Sequence, residues 1–147
     1  MRIAAFLEQS PMFAVHRAAR CFEQAAARAL AAEGLGFLEA LVLAALFFDR
    51  QSAASPSRLA ETFSTSRGNI SHCVGSLEAR GLISRAIDPD DARSYRISLK
   101  PAGRRVAPRV ISVFERMQRG FEREAGKAAL NEALQTIRHL EALVSSQ

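Results

Sequence analysis

The 147 residues suffice for about one domain with its own core, and 48% apolar with 24% charged residues is typical of a folded globular protein. This composition excludes global disorder. The net charge is +5, and arginine supplies 18 of the 20 basic residues. Such a bias suits a nucleic-acid partner, because guanidinium groups pair with phosphate and guanine, but a GC-rich coding sequence would produce it as well.

Neither a signal peptide nor a membrane span is expected. Charged residues interrupt the first apolar segment, and the longest apolar stretch, Leu35 to Phe48, contains Glu39 and is shorter than the roughly 20 residues of a membrane helix. We therefore expect a cytoplasmic protein without membrane contact. In that reducing compartment Cys21 and Cys73, far apart in sequence, should be free thiols.

The first third of the chain predicts two helices. Apolar residues recur every three or four positions from Ile3 to Ala32, and the regular helix should begin at Pro11 with Ser10 as its N-cap. The nine residues before Ser10 are then a separate apolar arm or turn. Leu35 to Phe48 is apolar on almost every side, which predicts a buried helix at the centre of the fold.

The stretch from Ser55 to Lys100 predicts a helix, a turn, a second helix and a hairpin. Ser55 and Ser66 are the N-caps of the two helices, and Gly81 ends the second one. Strands follow at 82–87 and 95–99 around a turn-rich tip. This order is typical of a winged helix-turn-helix, in which one helix enters a DNA groove and the hairpin forms the wing.

The helix from Ser66 to Arg80 has two contrasting faces. Counting 100° per residue places Ile70, Cys73, Val74 and Leu77 on the core side. The opposite side is small and polar and lacks Asp and Glu, whereas a merely solvated face is usually rich in charges. We therefore predict that this outer face reads DNA. The predicted contact residues in this helix are Ser66, Arg67, Gly68, Asn69, Ser71, His72 and Gly75.

The last third predicts two more helices. Pro101 should open the fifth, and Pro108 is expected to kink it or force a restart, because its ring clashes with the preceding turn. Gly120 and Gly126 weaken its far end before a sixth helix that carries regularly spaced leucines.

These motifs together resemble the MarR (multiple antibiotic resistance regulator) family of winged helix-turn-helix transcription factors. The resemblance is carried by RLA at 58–60, the helix at 66–77, LEARGLISR at 77–85, DPDDAR at 88–93 and LKPAG at 99–103. Three residues depart from the family pattern. Lys100 and Gly36 replace threonine caps, so two helix starts should be less sharply fixed, and Thr65 replaces an aliphatic residue that could pack on Ile70.

The resemblance implies a mainly α-helical protein with a small β-hairpin wing, forming a single domain over residues 1–147. It implies a homodimer held by helices at 10–33 and 104–147, with a winged helix-turn-helix lobe at 35–100 that binds a pseudo-palindromic site in double-stranded DNA. The family's minor-groove arginine corresponds to Arg93, beside Ser94 in the wing.

The family also implies a pocket for a small effector, and an aromatic or lipophilic compound is the expected class. Phe13, Phe47 and Phe48 could line such a pocket, but core packing is the stronger explanation of these side chains. We therefore assign no effector residues.

The charges of the predicted lobe are balanced. Five basic and five acidic residues lie between Arg58 and Arg93, so the lobe is not a basic clamp. Arg104 and Arg105, and with them Arg109, are candidate phosphate contacts, although a solvated helix face is the alternative. Asp91 is expected to pair with Arg93 or with Arg85 and so to hold the wing, which would make Arg85 structural.

No metal or other cofactor is predicted. His72 suits the DNA-facing surface better than a metal site, and His16 and His139 have no partner at ligand spacing. Cys73 should be an inert core thiol. Cys21 lies in the helix where hydroperoxide-sensing members of the family carry a reactive cysteine, but those hold it with tyrosines and Tyr95 is the chain's only tyrosine.

We therefore predict a ligand-responsive transcriptional regulator, expected to be a repressor. The alternative, which the balanced charge of the lobe favours, is a winged-helix module that binds proteins. An enzyme is not expected, because the sequence has no nucleophile and base pair, no carboxylate dyad and no phosphate-binding glycine loop.

Overall fold

The computed structural model describes residues 2–49 and 54–146. It is mainly helical with one antiparallel hairpin, which confirms the predicted fold class. The elements are α1 (Ile3–Glu8), α2 (Pro11–Ala29), a 3₁₀ turn (Ala31–Glu33), α3 (Phe37–Phe48), α4 (Pro56–Thr62), α5 (Arg67–Ala79), β1 (Ile83–Ile87), β2 (Tyr95–Leu99), α6 (Pro101–Ala125) and α7 (Lys127–Ser145).

The chain forms two compact units. Residues 27–113 make up the first, called the winged lobe below. The described residues up to 26 and from 114 onward make up the second, called the helical unit. The helices α2 and α6 each contribute to both units.

The predicted helix starts are confirmed by hydrogen bonds at their N-caps. The Ser10 hydroxyl accepts the Phe13 N–H at 3.2 Å, Ser55 accepts that of Arg58 at 3.2 Å, and Ser66 accepts that of Asn69 at 3.1 Å. Gly81 ends α5 with a φ of +71°, a left-handed conformation that a side chain would disfavour.

One prediction about helix continuity was wrong, because the residues before Ser10 form the helix α1 rather than an arm or turn. Of the two outcomes predicted for Pro108, a restart does not occur, since the helix α6 runs from Pro101 to Ala125 without interruption. A kink at Pro108 stays a prediction. The Pro108 ring lies on the exposed side, while its neighbours Ala107 and Val110 are fully buried. The burial of those neighbours holds the helix together, and water can satisfy the carbonyl group that the missing N–H leaves free.

The core of the winged lobe is aliphatic. The predicted inner face of α5 is buried at all four positions, and five of the twelve residues of α3 are buried. Only the last residue of α3, Phe48, is largely exposed, at 72%. The largest fully buried side chains are Leu30, Val42, Leu43, Ile70, Val74, Leu77, Ile83 and Val110.

The hairpin is anchored at its base. Ile83 pairs with Leu99, and Ile87 pairs with Tyr95 near the tip. Ile83 and Leu99 are buried against the lobe, whereas the tip is exposed. Ala54 adds a bridge to β2, since its carbonyl accepts the Ile97 N–H at 3.0 Å. No pattern in the sequence predicted this third strand-like contact.

Gly103 allows α6 to approach the base of the hairpin closely. A Cβ at this position would lie 2.1 Å from the carbonyl oxygen of Leu82, well inside the contact distance. The same oxygen accepts the Lys100 N–H at 2.9 Å. The motif Leu-x-x-x-Gly at 99–103 therefore has a packing reason: only glycine fits against the backbone here.

The helical unit has little core of its own. Ala26 is the one residue that is buried among those described in this unit, and α1 and α7 bury none. The Phe22 and Phe121 rings pack with their centroids 5.6 Å apart, yet both remain partly exposed. Within the described ranges, no helix is both long and apolar enough to span a bilayer.

Candidate nucleic-acid interface

The predicted reading face of α5 is open. Six of its predicted residues, from Ser66 to His72, are exposed, and Gly75 is half-buried. A Cβ built on Gly75 would meet nothing within 4 Å, so the space beyond it is free for another molecule. The separation of α5 into a buried aliphatic side and an open small-residue side is thus confirmed, and contact with DNA stays a prediction.

The far end of this face is closed by a contact with α3. The Ser76 hydroxyl donates to the Glu39 carboxylate in α3 at 2.6 Å, and Ser76 is half-buried. The open face therefore ends at Gly75. At the other end, the Thr65 hydroxyl accepts from the Asn69 amide at 3.0 Å, so a polar tether replaces the aliphatic contact with Ile70.

The start of α3 is also more sharply fixed than expected. The Glu39 carboxylate accepts the Gly36 N–H at 2.8 Å, which satisfies one of the free donors at the N-terminus of the helix. Glu39 thus compensates for the missing threonine cap, a role that its spacing of three residues from Gly36 could have indicated.

The wing is shaped by its aspartates. Asp88 accepts the Asp90 N–H at 2.9 Å and lies 3.1 Å from the Arg96 guanidinium, which also donates to Asp90 at 2.9 Å. The Asp90 N–H and the Arg96 guanidinium lower the pKa of the Asp88 carboxyl. Asp91 bonds Arg93, one of its two predicted partners, but through the backbone, since its carboxylate accepts the Arg93 N–H at 3.0 Å.

Arg85 is structural, as predicted, but its partner is a different acid. Its guanidinium donates to the Glu78 carboxylate at 2.8 Å and lies 5.8 Å from the centre of the Tyr95 ring. The pair ties β1 to the end of α5. Glu78 and Arg85 lie seven residues apart across the Gly81 turn, so helical or strand periodicity alone could not have paired them.

The tip of the wing presents Arg93 to solvent. Its side chain is exposed, and no hydrogen bond or ion pair of its guanidinium is found within residues 2–49 and 54–146. Ser94 is half-buried, and its backbone closes the tip by bonding Asp88 and Asp91 at 3.0 and 2.9 Å. Of the two predicted wing residues, Arg93 is therefore a cation without a partner in the described residues, and Ser94 closes the turn.

The three arginines at the start of α6 do not form one set. Arg104 and Arg105 are exposed, and their side chains have no ion pair in the described part of the chain. Arg109 instead binds Glu33 through two contacts of 2.7 and 2.9 Å. Its hydrogen bond lowers the pKa of the Glu33 carboxyl, outweighing partial burial, which acts in the opposite direction. The Arg109 guanidinium is thus already bound by an acid of the lobe.

Ion pairs within the lobe neutralise many of its acids, so the equal numbers of acidic and basic residues do not describe the charge that the lobe presents to a partner. Five acids of the lobe are held by internal arginines: Glu33, Asp49, Glu78, Asp88 and Asp90. From Arg67 to the end of the lobe, the cations with neither an acid nor a backbone carbonyl as partner among the described residues are Arg67, Arg93, Lys100, Arg104 and Arg105. They lie at the start of α5, at the wing tip and at the start of α6. A count of charges along the sequence could not separate these two groups.

The two cysteines singled out in the sequence lie in different surroundings, since Cys73 is buried and Cys21 is exposed. Burial raises the pKa of the Cys73 thiol to about 12, which agrees with an inert core residue. Cys21 is exposed and lines a cleft of about 710 Å³ in the helical unit, together with Phe13. In the described residues, no three His, Cys, Asp or Glu side chains are grouped as metal ligands would be.

The match to a known sequence family lies within the winged lobe. The sequence model of the MarR family matches residues 48–95, from the end of α3 to the start of β2. Over this segment the chain is similar to MarR-family sequences. The predicted resemblance is thereby confirmed, and the MarR match includes α5 and the wing. A search of curated proteins found no significant match.

Solved MarR-type structures share the fold. The Staphylococcus aureus MepR–DNA complex is 20% identical with a TM-score of 0.80, covering 93% of this chain and 97% of that one. Mycobacterium tuberculosis MosR in complex with DNA is 22% identical with a TM-score of 0.79, covering 94% and 98%. CouR from Rhodococcus jostii, bound to p-coumaroyl-CoA, is 23% identical with a TM-score of 0.77, covering 91% and 93%.

Proposed function

We propose that the chain is a sequence-specific DNA-binding transcriptional regulator. The observation that carries the proposal is the open side of α5, which is free of acids and begins at the exposed Arg67. Small residues let a helix lie deep in the major groove, while Asn69, Ser71 and His72 offer hydrogen bonds to base edges. The free Arg93 at the wing tip suits the narrow, electronegative minor groove.

The likeness to MepR and MosR adds support, since both were solved with DNA. Arg104 and Arg105 would extend the contact along the phosphate backbone, as free cations at the start of α6. Because five lobe acids are internally paired, they oppose this approach less than the charge count suggests.

The functional form in this proposal is a homodimer. Apolar side chains remain exposed on every helix of the helical unit: Ile3, Phe6, Met12, Val15, Phe22, Phe121, Leu134, Ile137, Leu143 and Val144. Exposed apolar surface of this extent marks an interaction surface, and a second copy of the chain would cover it symmetrically. Two lobes would then bind half-sites about 10 bp apart in a pseudo-palindromic operator.

Regulation by a small molecule completes the proposal, with repression of the target gene as the expected sign. CouR was solved with an aromatic thioester, which agrees with the expected aromatic or lipophilic class of effector. An effector that binds the DNA-free conformation more tightly would release the operator by shifting the population between the two states.

Substitution of Arg93 by alanine tests the wing. An operator is first selected from a random duplex pool, and its affinity is then measured by fluorescence anisotropy. We expect Arg93→Ala to weaken operator binding about tenfold or more, since a specific arginine contact contributes about 1–3 kcal/mol. Arg116→Ala, which removes an exposed arginine of the helical unit, should leave the affinity within about twofold. Equal effects of the two substitutions would contradict the wing assignment.

The salt dependence separates this function from a protein-binding module. Each phosphate contact adds a slope of about −0.9 to the logarithmic plot of affinity against salt concentration. A slope of several units is expected for the wild type. A flat response, or no duplex selected from the pool, would favour the protein-binding alternative.

A further inference from the structure

The segment from Glu33 to Glu39, between the 3₁₀ turn and the first turn of α3, touches the recognition helix α5 at two points. The Ser76 hydroxyl donates to Glu39 at 2.6 Å. One turn later, the Arg80 guanidinium donates to the carbonyl oxygens of Gly34 and Glu33 at 2.6 and 2.7 Å. Ser76 and Arg80 are four residues apart, so both contacts lie on one stripe along the helix.

Glu39 uses both of its carboxylate oxygens. One accepts the Gly36 N–H and fixes the start of α3, and the other accepts the Ser76 hydroxyl. A charged acceptor makes a shorter and stronger hydrogen bond than a neutral one, in keeping with the 2.6 Å distance. The side chain therefore joins the N-terminus of the central helix directly to the helix that presents the reading face.

Apart from the bonds made by Ser76, Glu78 and Arg80, the contact between α5 and the core is not directional. Its buried side consists of Ile70, Cys73, Val74 and Leu77, and apolar contacts of this kind tolerate small rotations of a helix. Hydrogen bonds do not, because they weaken steeply away from their preferred distance and angle. A rotation of about 20° would move a side chain at the outer radius of the helix, about 6 Å, by about 2 Å. That displacement exceeds the tolerance of a base contact.

We propose that Glu39 is a positioning residue for DNA recognition, which sets the rotation of α5 through Ser76 and thereby the alignment of Asn69, Ser71 and His72 with the base edges. The inference rests on the proposed DNA-binding function. Glu39 does not reach DNA itself. Glu33 holds the other end of the segment, since its carboxylate is bound by Arg109 of α6.

The test compares specific with non-specific binding. Affinities for the selected operator and for a scrambled duplex of equal length give a specificity ratio. Ser76→Ala should lower this ratio about tenfold while the scrambled duplex is bound within about twofold of the wild type, because phosphate contacts carry no sequence information. Ser76→Thr keeps the hydroxyl and should restore the ratio to within about threefold of the wild-type value.

The partner residue and a matched control complete the set. Glu39→Ala should lower the specificity ratio as Ser76→Ala does, and the double substitution should lower it no further, because both remove the same contact. Ser84→Ala is the control. It removes one hydroxyl of the Ser84–Ser98 pair, 3.1 Å apart on the hairpin, and should leave the ratio unchanged. Circular dichroism and the melting temperature of each variant confirm that the comparison is made on folded protein.

The outcomes are distinct. A wild type that binds operator and scrambled duplex equally overturns the proposed function, and this inference with it. A selective wild type whose ratio is unchanged by Ser76→Ala and Glu39→Ala leaves the function intact and overturns the positioning role. A parallel loss of both affinities and of melting temperature would mean that the contact only stabilises the fold, which also overturns it.

Discussion

The winged lobe and the helical unit differ in how much of their apolar surface they bury. Nearly all buried side chains of the described chain belong to the winged lobe, where α3, α5 and the base of the hairpin enclose an aliphatic core. The helical unit exposes apolar residues along α1, α2 and α7 and buries almost none. The lobe therefore has a hydrophobic core of its own, and the helical unit has almost none.

This difference separates two kinds of stability. The lobe should unfold with a free energy set by its own packing. A helix such as α7, with no buried residue, gains stability mainly from what covers it, because isolated helices of this length are marginal in water. Its stability should therefore depend on protein concentration, as in an obligate dimer.

The largest effect is expected from a charge placed on the exposed apolar surface of the helical unit. Ile137→Glu should abolish the dimer, because an unpaired carboxylate would have to be buried at the interface. Losing the second half-site should weaken operator binding about 100-fold or more. Analytical ultracentrifugation measures the assembly, and anisotropy measures the affinity.

The control for this substitution is Gln135→Glu, which adds the same charge at an exposed polar position of α7. It should leave the dimer intact. If Ile137→Glu remains dimeric, α7 does not form the interface and the contrast between the two units has another cause.

A smaller but still large effect is expected at Gly103, within the tightly packed lobe. Gly103→Ala would place a Cβ 2.1 Å from the Leu82 oxygen and should lower the free energy of unfolding by about 2–4 kcal/mol. Gly120 lies in the same helix but in the helical unit, and a Cβ there meets nothing within 4 Å. Gly120→Ala should stabilise the protein by about 0.5–1 kcal/mol. Denaturant titrations of the two variants would show opposite shifts, and shifts of the same sign would refute this assignment of packing.

The sequence predicted the winged lobe well, because local signals agree there. Ser55, Ser66 and Gly81 cap helices through contacts with residues nearby in the chain, and the period of the apolar residues assigned the buried side of α5 correctly. The same period was insufficient for α1, since the short apolar segment before Ser10 is predicted as an arm or turn and forms a helix.

The sequence did not predict the contacts between residues that are distant from each other along the chain. Glu39 with Ser76 spans 37 residues and Glu33 with Arg109 spans 76, and no periodic pattern links either pair. Arg109 was grouped with Arg104 and Arg105 because the three are neighbours in sequence. Which of them is free depends on where Glu33 lies, and that position is fixed only by the packing of the lobe.

A more moderate effect is expected at Gly75, where stability and function should change in opposite directions. Gly75→Ala should stabilise α5 by about 0.5–1 kcal/mol, because glycine is a poor helix former and the added methyl group meets nothing within 4 Å. It should also weaken operator binding about tenfold, because the added methyl group would occupy the space through which α5 approaches the groove. Gly120→Ala is the matched control, stabilising without loss of affinity. A stabilised Gly75→Ala variant with full affinity would exclude this position from the reading face.

The smallest effect concerns the lobe's own electrostatics. The Arg109 guanidinium lowers the pKa of the Glu33 carboxyl below its ordinary value of 4.5, so the folded state binds this proton less readily than the unfolded state does. The resulting stability is present above the ordinary value and is lost as the pH falls through the lowered one. Glu33→Gln should therefore reduce the melting temperature by a few degrees at neutral pH and flatten its decline toward about pH 3. Glu61→Gln, at an exposed acid for which no ion pair is found among the described residues, should change neither. If the two variants had identical pH profiles, the bond between Glu33 and Arg109 would contribute nothing to the lobe, and its stability would rest on the aliphatic core alone.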